Sequence, residues 1–369
     1  MIGMLKAVKT STTKKWMSSA LGERTLYGFE LVRSLSFTAQ SLSLPFWESL
    51  LTGRLKAPSI EVLKHFGQAQ KSLHELLKRD AKNIAQGIYP IEVLKSESWT
   101  QFIRRYPQII IDGVQVARRR VSHSSQEFSA EALEYFRDVP EYFQRNFHFQ
   151  SGGYLTEKSA ELYEHQVEIL FAGAADAMRR LLLPELKLAF PYTEGEGLHF
   201  LEIGAGTGRL SKFIKLTFPK AKITLLDLSH PYLKKAQSEL QDFRKIDFVQ
   251  GDAAELPFVD QKFDAVVSCF LFHELPLEVR KKTLQEAMRV LKPGGFMGHV
   301  DSLQEQDNKQ FQWALKQFPQ DFHEPFYKNY LQNPMEGLVL FAGIERMTAR
   351  TGFLSKVVCG FKRQDSRQN

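Results

Sequence analysis

The chain has 369 residues, 43% of them hydrophobic and 25% charged, which is ordinary for a soluble globular protein and long enough for two cores. Its two cysteines, Cys269 and Cys359, form no CxxC or Cys/His cluster; that pattern argues against a disulfide scaffold or structural zinc, and fits a reducing compartment. The formal charge of +7 sits in residues 1–150, which hold 21 Lys and Arg against 14 Asp and Glu, while the remainder balances at 28 of each.

Residues 1–22 contain Lys6, Lys9, Lys14 and Lys15 and no acid. Without a clean apolar region this is not a secretory leader, and it reads as a disordered or membrane-grazing arm. No apolar run approaches the roughly 18 residues that span a bilayer. Residues 61–79 place Val62, Phe66, Leu73, Leu76 and Leu77 at helical spacing. "FSAEALEYFRDV" (128–139) reads as a helix stopped by Pro140, and residues 158–183 as one long helix. Only "QIIIDGVQV" (108–116) looks strand-like. The N-terminal half is therefore expected to be mostly helical, its basic surface either solvated or turned to an acidic partner.

After "PYTEGEG" (191–197) the pattern changes. Short apolar runs at 198–204, 222–228, 246–252, 263–269 and 295–301 alternate with helical stretches at 209–218, 232–242 and 277–291. Such alternation predicts an α/β fold with a parallel sheet covered by helices on both faces. "GIERMTART" and "FLSKVVCGFKR", joined at Gly352, read as two closing strands. The expected division is a helical domain at 1–150, a helical connector at 151–194, and an α/β domain at 195–369.

"LEIGAGTGRL" (201–210) runs from strand into helix. Gly204, Gly206 and Gly208 allow a tight turn with close ligand approach, and the following helix offers free N–H groups. The spacing is G-x-G-x-G rather than the dinucleotide G-x-G-x-x-G, and Glu202 ahead of it would repel a pyrophosphate and attract an ammonium. Asp227, ending the second strand, suits two ribose hydroxyls, and Leu228 offers an apolar face to a purine. In "GDAAELPF" (251–258), Asp252 suits an exocyclic amine and the Ala253 N–H a ring nitrogen. "RVLKPGG" (289–295) brings a helix to the fifth strand through a Pro-Gly-Gly turn.

With "LEIGAGTG", "LLDLS", "GDAAELPF" and "RVLKPGG" in order, residues 195–362 resemble a class I S-adenosylmethionine (SAM)-dependent methyltransferase. The stretch is most similar to the small-molecule branch that includes the ubiquinone/menaquinone-biosynthesis C-methyltransferases. The resemblance implies a Rossmann-like, doubly wound sheet and SAM as cofactor. It places Glu202, Gly204, Ala205, Gly206 and Gly208 at the methionine end, Asp227 at the ribose, and Leu228, Asp252 and Ala253 at the adenine, with Cys269 nearby. The helical half is then an addition, serving as a lid, a substrate-binding or an oligomerisation element.

"SCFLFHEL" (268–275) follows the fourth strand, at the ligand end of such a sheet. It lacks the Asn/Asp-Pro-Pro-aromatic tetrad of enzymes that methylate planar amino nitrogens, which implies a small, apolar acceptor. A zinc reading of His273 and Glu274 fails, because Leu277 stands where H-E-x-x-H needs its second histidine; no metal is expected. His273 is either a general base or orienter, or packs at the strand–helix junction. "NFHFQSGGY" (146–154), which includes His148, Gln150 and a Gly-Gly bend, and "DFHEPFYKNYL" (321–331) offer further pocket candidates: His148, Tyr154, His323, Glu324 and Tyr327. Of these, His148, His323 and Tyr327 join His273 as candidate catalytic residues.

The leading expectation is methyl transfer from SAM to an O or C atom of a small hydrophobic acceptor. An RNA or protein methyltransferase docking through the basic half, and a non-catalytic SAM-binding subunit, are the alternatives. The lack of basic–aromatic stripes argues against nucleic acid. A cytoplasmic location is expected, with membrane contact through the arm and homo-oligomer formation left open.

Overall fold

The computed structural model describes residues 16–52, 60–95, 104–113, 128–145, 147–149 and 152–364. The N-terminal arm with its four lysines, and Gln150, lie outside these.

Ala20–Thr52 (α1) and Ile60–Ala85 (α2) pack along one another. The spacing at 61–79 foretold α2, but α1 carries no such stripe. Its apolar side chains point all round: Leu26 is buried, while Leu21, Val32, Leu35 and Leu42 are exposed. Residues 108–113, expected as strand, are helical, and Ile109 packs on Leu162 and Ile169; 114–116 lie outside the described residues. A short apolar run cannot by itself separate buried helix from strand.

The helix expected at 128–139 is one short piece, Ala130–Glu134 (α3), capped where Ser129 accepts from the Ala132 N–H, followed by a 3₁₀ turn ahead of Pro140. The long helix expected at 158–183 divides into Glu157–Leu170 (α4), Ala175–Arg179 (α5) and the start of Leu182–Ala189 (α6). The break falls at Ala172 and Gly173, both with positive φ. A Cβ on Gly173 would lie 2.9 Å from Ser34 Cα, so the close crossing of α1 requires glycine there.

Seven strands form one mixed sheet in the order β3-β2-β1-β4-β5-β7-β6. They are β1 His199–Ile203, β2 Lys222–Asp227, β3 Ile246–Gln250, β4 Phe263–Cys269, β5 Leu291–Ser302, β6 Ile344–Gly352 and β7 Ser355–Lys362. The first five run parallel; β7 is antiparallel to both β5 and β6. The helices Arg209–Thr217 (α7), His230–Glu239 (α8) and Leu277–Val290 (α9) connect parallel strands. The Pro-Gly-Gly segment is a bulge rather than a free turn. Helix α9 enters β5 directly, and pairing with β4 jumps from Phe263–Leu291 to Ala265–Phe296.

One apolar core joins Leu73, Leu76 and Leu77 of α2 to Met178, Leu181 and the sheet. At its side Arg180, buried, meets Asp80 at 2.6 Å and Glu30 at 2.8 Å. The strand order reverses between β1 and β4, and the crevice for a ligand opens at the carboxyl ends of those two strands. Among the described residues no helix is long and apolar enough to cross a membrane.

Candidate active site

The β1–α7 loop builds the first half of the crevice. Gly204, Gly206 and Gly208 all take positive φ, and Gly208 is the left-handed cap of α7. A Cβ at Gly208 would come within 2.9 Å of Leu240, whereas one at Gly206 would meet nothing nearer than 3.8 Å. Asp227 ends β2 and pins the loop: Gly206 N–H donates to its Oδ2 at 2.7 Å and Ser229 N–H to its Oδ1 at 2.8 Å. Burial raises its pKa against the pull of those two bonds. Glu202 lies beneath the loop, 1% exposed, with the Ser211 hydroxyl donating to it. Burial pushes this carboxyl up to about 8.

Gly204, Asp227, Leu228 and Ala253 line a cleft together with Tyr142 and Phe147 from the N-terminal half. Tyr142 donates to Asp252 Oδ1 at 2.9 Å, and the Ala254 N–H donates to the same oxygen at 2.8 Å.

A second cavity, about 660 Å³ including its open mouth, lies beyond the end of β4. Val167, Leu170, Phe171, Phe270, Phe318 and Leu354 give it apolar walls, and His148, His273, Glu274 and Tyr327 a polar end. Glu274 lines both the cleft and this cavity. Phe270 leaves β4 with φ 55°, in the left-handed region, and its N–H still donates to Val300. Backbone strain of this kind gathers at ligand sites.

The polar end is a network. His273 Nδ1 lies 2.6 Å from Asp301 Oδ1, and Asp301 also accepts from the Phe272 and Ser302 N–H groups. Burial opposes a charged His273, but Asp301 outweighs it and raises the pKa to about 9, so the ring is an imidazolium at neutral pH. Tyr154 donates to Glu274 Oε1 at 2.5 Å and lies 2.8 Å from His148 Nε2. Burial pushes Glu274 up to about 7 against the pull of His273 and Tyr154, and it lowers His148 to about 3. His148 Nδ1 lies 3.2 Å from Glu324.

The predicted residues thus divide. Gly204, Asp227, Leu228 and Ala253 meet in the cleft; His148, His273 and Tyr327 meet at the cavity's polar end, where Tyr327 contacts Ser302 Oγ at 2.6 Å. Ala205 donates its N–H to Leu226 O, while Cys269 ends β4 with its thiol pushed up by burial. His323 accepts the His148 N–H through its carbonyl. Asp301 and Tyr142 were not picked out from sequence. Asp301 carries a readable signal, an acid at the carboxyl end of a parallel strand; Tyr142 lies in an irregular segment and carries none.

Residues 200–295 match a family model described as a methyltransferase domain. Among curated proteins, the fatty-acid O-methyltransferase of Mycolicibacterium smegmatis is 31% identical over 163 residues, covering 44% of this chain and 52% of that one. The demethylmenaquinone methyltransferase of Thermotoga maritima is 38% identical over 141 residues, covering 38% and 57%. The chain spans about half the length of these relatives. A SAM-dependent methyltransferase structure from Aquifex aeolicus aligns with 48% of this chain and 88% of that one at 21% identity, with a TM-score of 0.37.

Proposed function

Because residues 200–295 match a methyltransferase-domain family model, we propose that the chain is a class I methyltransferase that moves the methyl group of SAM to an O or C atom of a small, apolar acceptor. The observation that carries this reading is the meeting of two cavities at Glu274, one walled by the glycine loop and Asp227, the other by apolar side chains. Relatives named for a fatty acid and for demethylmenaquinone agree with an apolar acceptor.

The cleft suits the cofactor. Asp227 accepts two backbone bonds and keeps lone pairs for ribose hydroxyls. Gly206 leaves room above the loop, and Leu228 and Ala253 present apolar surface to an adenine. Glu202, covered and bonded to Ser211, acts in this reading by shaping the loop from beneath.

SAM when bound supplies an electrophilic methyl, so the chain's task is alignment, which can contribute up to about 7–11 kcal/mol. The apolar walls hold the acceptor's body and exclude water. His273, fixed as an imidazolium by Asp301, is a donor rather than a proton acceptor. It lies 3.7 Å from Glu274 and orients that carboxylate toward the acceptor's polar end.

The test is incubation of the full chain with methyl-labelled SAM and cell extract. Label in apolar, solvent-extractable small molecules is expected. Label confined to RNA or protein would overturn the acceptor class, and no SAM-dependent labelling would overturn the reading.

A further inference from the structure

The polar end of the apolar cavity gathers three carboxyl groups around two imidazoles. Asp301 lies 2.6 Å and Glu274 3.7 Å from His273, and Glu324 lies 3.2 Å from His148. Glu324 has a fully buried side chain, and among the described residues neither of its oxygens has a hydrogen-bond partner. A buried carboxyl group left so is costly unless something else meets it.

The hydrogen-bond chain fixes which way His148 faces. Tyr154 has one proton and gives it to Glu274 Oε1, so its oxygen accepts from His148 Nε2–H. His148 Nδ1 then carries a bare lone pair and lies 3.2 Å from Glu324 Oε1, with no hydrogen bond between the two. Two acceptors therefore lie side by side at the polar end of the cavity. The backbone holds this arrangement at some expense: His148 sits at φ 55°, its N–H tied to the carbonyl of His323, next to Glu324. One ligand atom from each of His148, Glu274 and Glu324 falls within 4.8 Å of the others. A ring whose far N–H is held by an outer partner, with the near nitrogen free, is the usual posture of a metal-ligating histidine.

We propose that His148, Glu274 and Glu324 bind a divalent transition-metal ion at the junction of the cofactor cleft and the apolar cavity. One imidazole and two carboxylates suit Zn²⁺ or Mn²⁺. The ion would occupy the gap between the two acceptors, and Tyr154 is its outer positioning residue. Because Glu274 borders both cavities, the ion stands where it can hold an acceptor's oxygen; this role, unlike the binding itself, rests on the methyltransferase reading.

The competing explanation is a proton on Glu324 bridging to His148. Calorimetry on full-length, EDTA-stripped protein titrated with ZnCl₂ and MnCl₂ separates the two, together with metal content measured after dialysis. One ion per chain is expected, with Zn²⁺ bound tighter than Mn²⁺. Glu324→Gln should abolish that site while SAM affinity of the ion-free protein is unchanged, and Tyr154→Phe should weaken it about tenfold. A wild-type chain that retains no ion, or a Glu324→Gln chain that retains as much as wild type, overturns the proposal. Ion binding without SAM binding would leave this site standing and remove the methyltransferase reading.

Discussion

Glu202 is the side chain whose environment differs most from its place in the motif. It precedes the glycines, yet it is covered, bonded to Ser211, and faced by Arg179 and Asp227. With a folded pKa near 8 against 4.5 for the free group, the folded chain holds a proton that the unfolded chain releases. Its stabilising effect is complete below pH 4.5, is lost as pH rises toward 8, and is flat above that. Glu202→Gln keeps an acceptor for Ser211 without the charge. The variant is expected to gain on wild type by roughly 1.4 kcal/mol per pH unit across that window. Urea midpoints at pH 5 and pH 8 measure this; an equal difference at the two pH values would contradict it. For His273→Asn, turnover is expected to fall about 100-fold through misplacement of Glu274, with SAM affinity kept. Unchanged turnover would reduce His273 to packing.

At the scale of elements, the glycine loop and the strand ends were readable because each is contiguous and its spacing states its geometry. The polar cluster was not. His148 and Tyr154, His273 and Glu274, and Glu324 come from three separate segments; each segment drew notice for its composition, but only the fold brings them together. A spacing rule such as H-E-x-x-H tests ligands on one helix and is blind to such a set. Helix α1 was missed for a different reason, its apolar residues being spread over buried and exposed faces. The segment carrying Tyr142 reaches across to Asp252 and walls the cleft with Phe147. Tyr142→Ala is therefore expected to weaken SAM binding roughly tenfold, ~1.4 kcal/mol. Tyr142→Phe should lose less, since the ring remains. Equal affinity for all three forms would show that the segment does not contribute to the cleft.

For the whole molecule, the helical half and the sheet share one apolar core, and Arg180 of the connector is tied to α1 and α2 through Glu30 and Asp80. Removing that guanidinium strands two buried carboxylates, so Arg180→Ala is expected to destabilise the chain by about 3–5 kcal/mol, read as a lowered urea midpoint. We propose that residues 195–369 do not fold alone, because Leu76 and Leu181 cover the sheet at Gly352. A cooperative melt of that fragment would instead support the separate division at 195 read from sequence.

The central claim is a SAM cleft organised by Asp227 at the end of β2. Isothermal calorimetry of SAM against the wild-type chain and Asp227→Ala tests it most directly. One SAM per chain is expected for the wild type, with binding lost in the variant, where two charge-assisted hydrogen bonds of roughly 1.5–3 kcal/mol each are removed. Near wild-type affinity in Asp227→Ala, or no SAM binding by the wild-type chain, would contradict it.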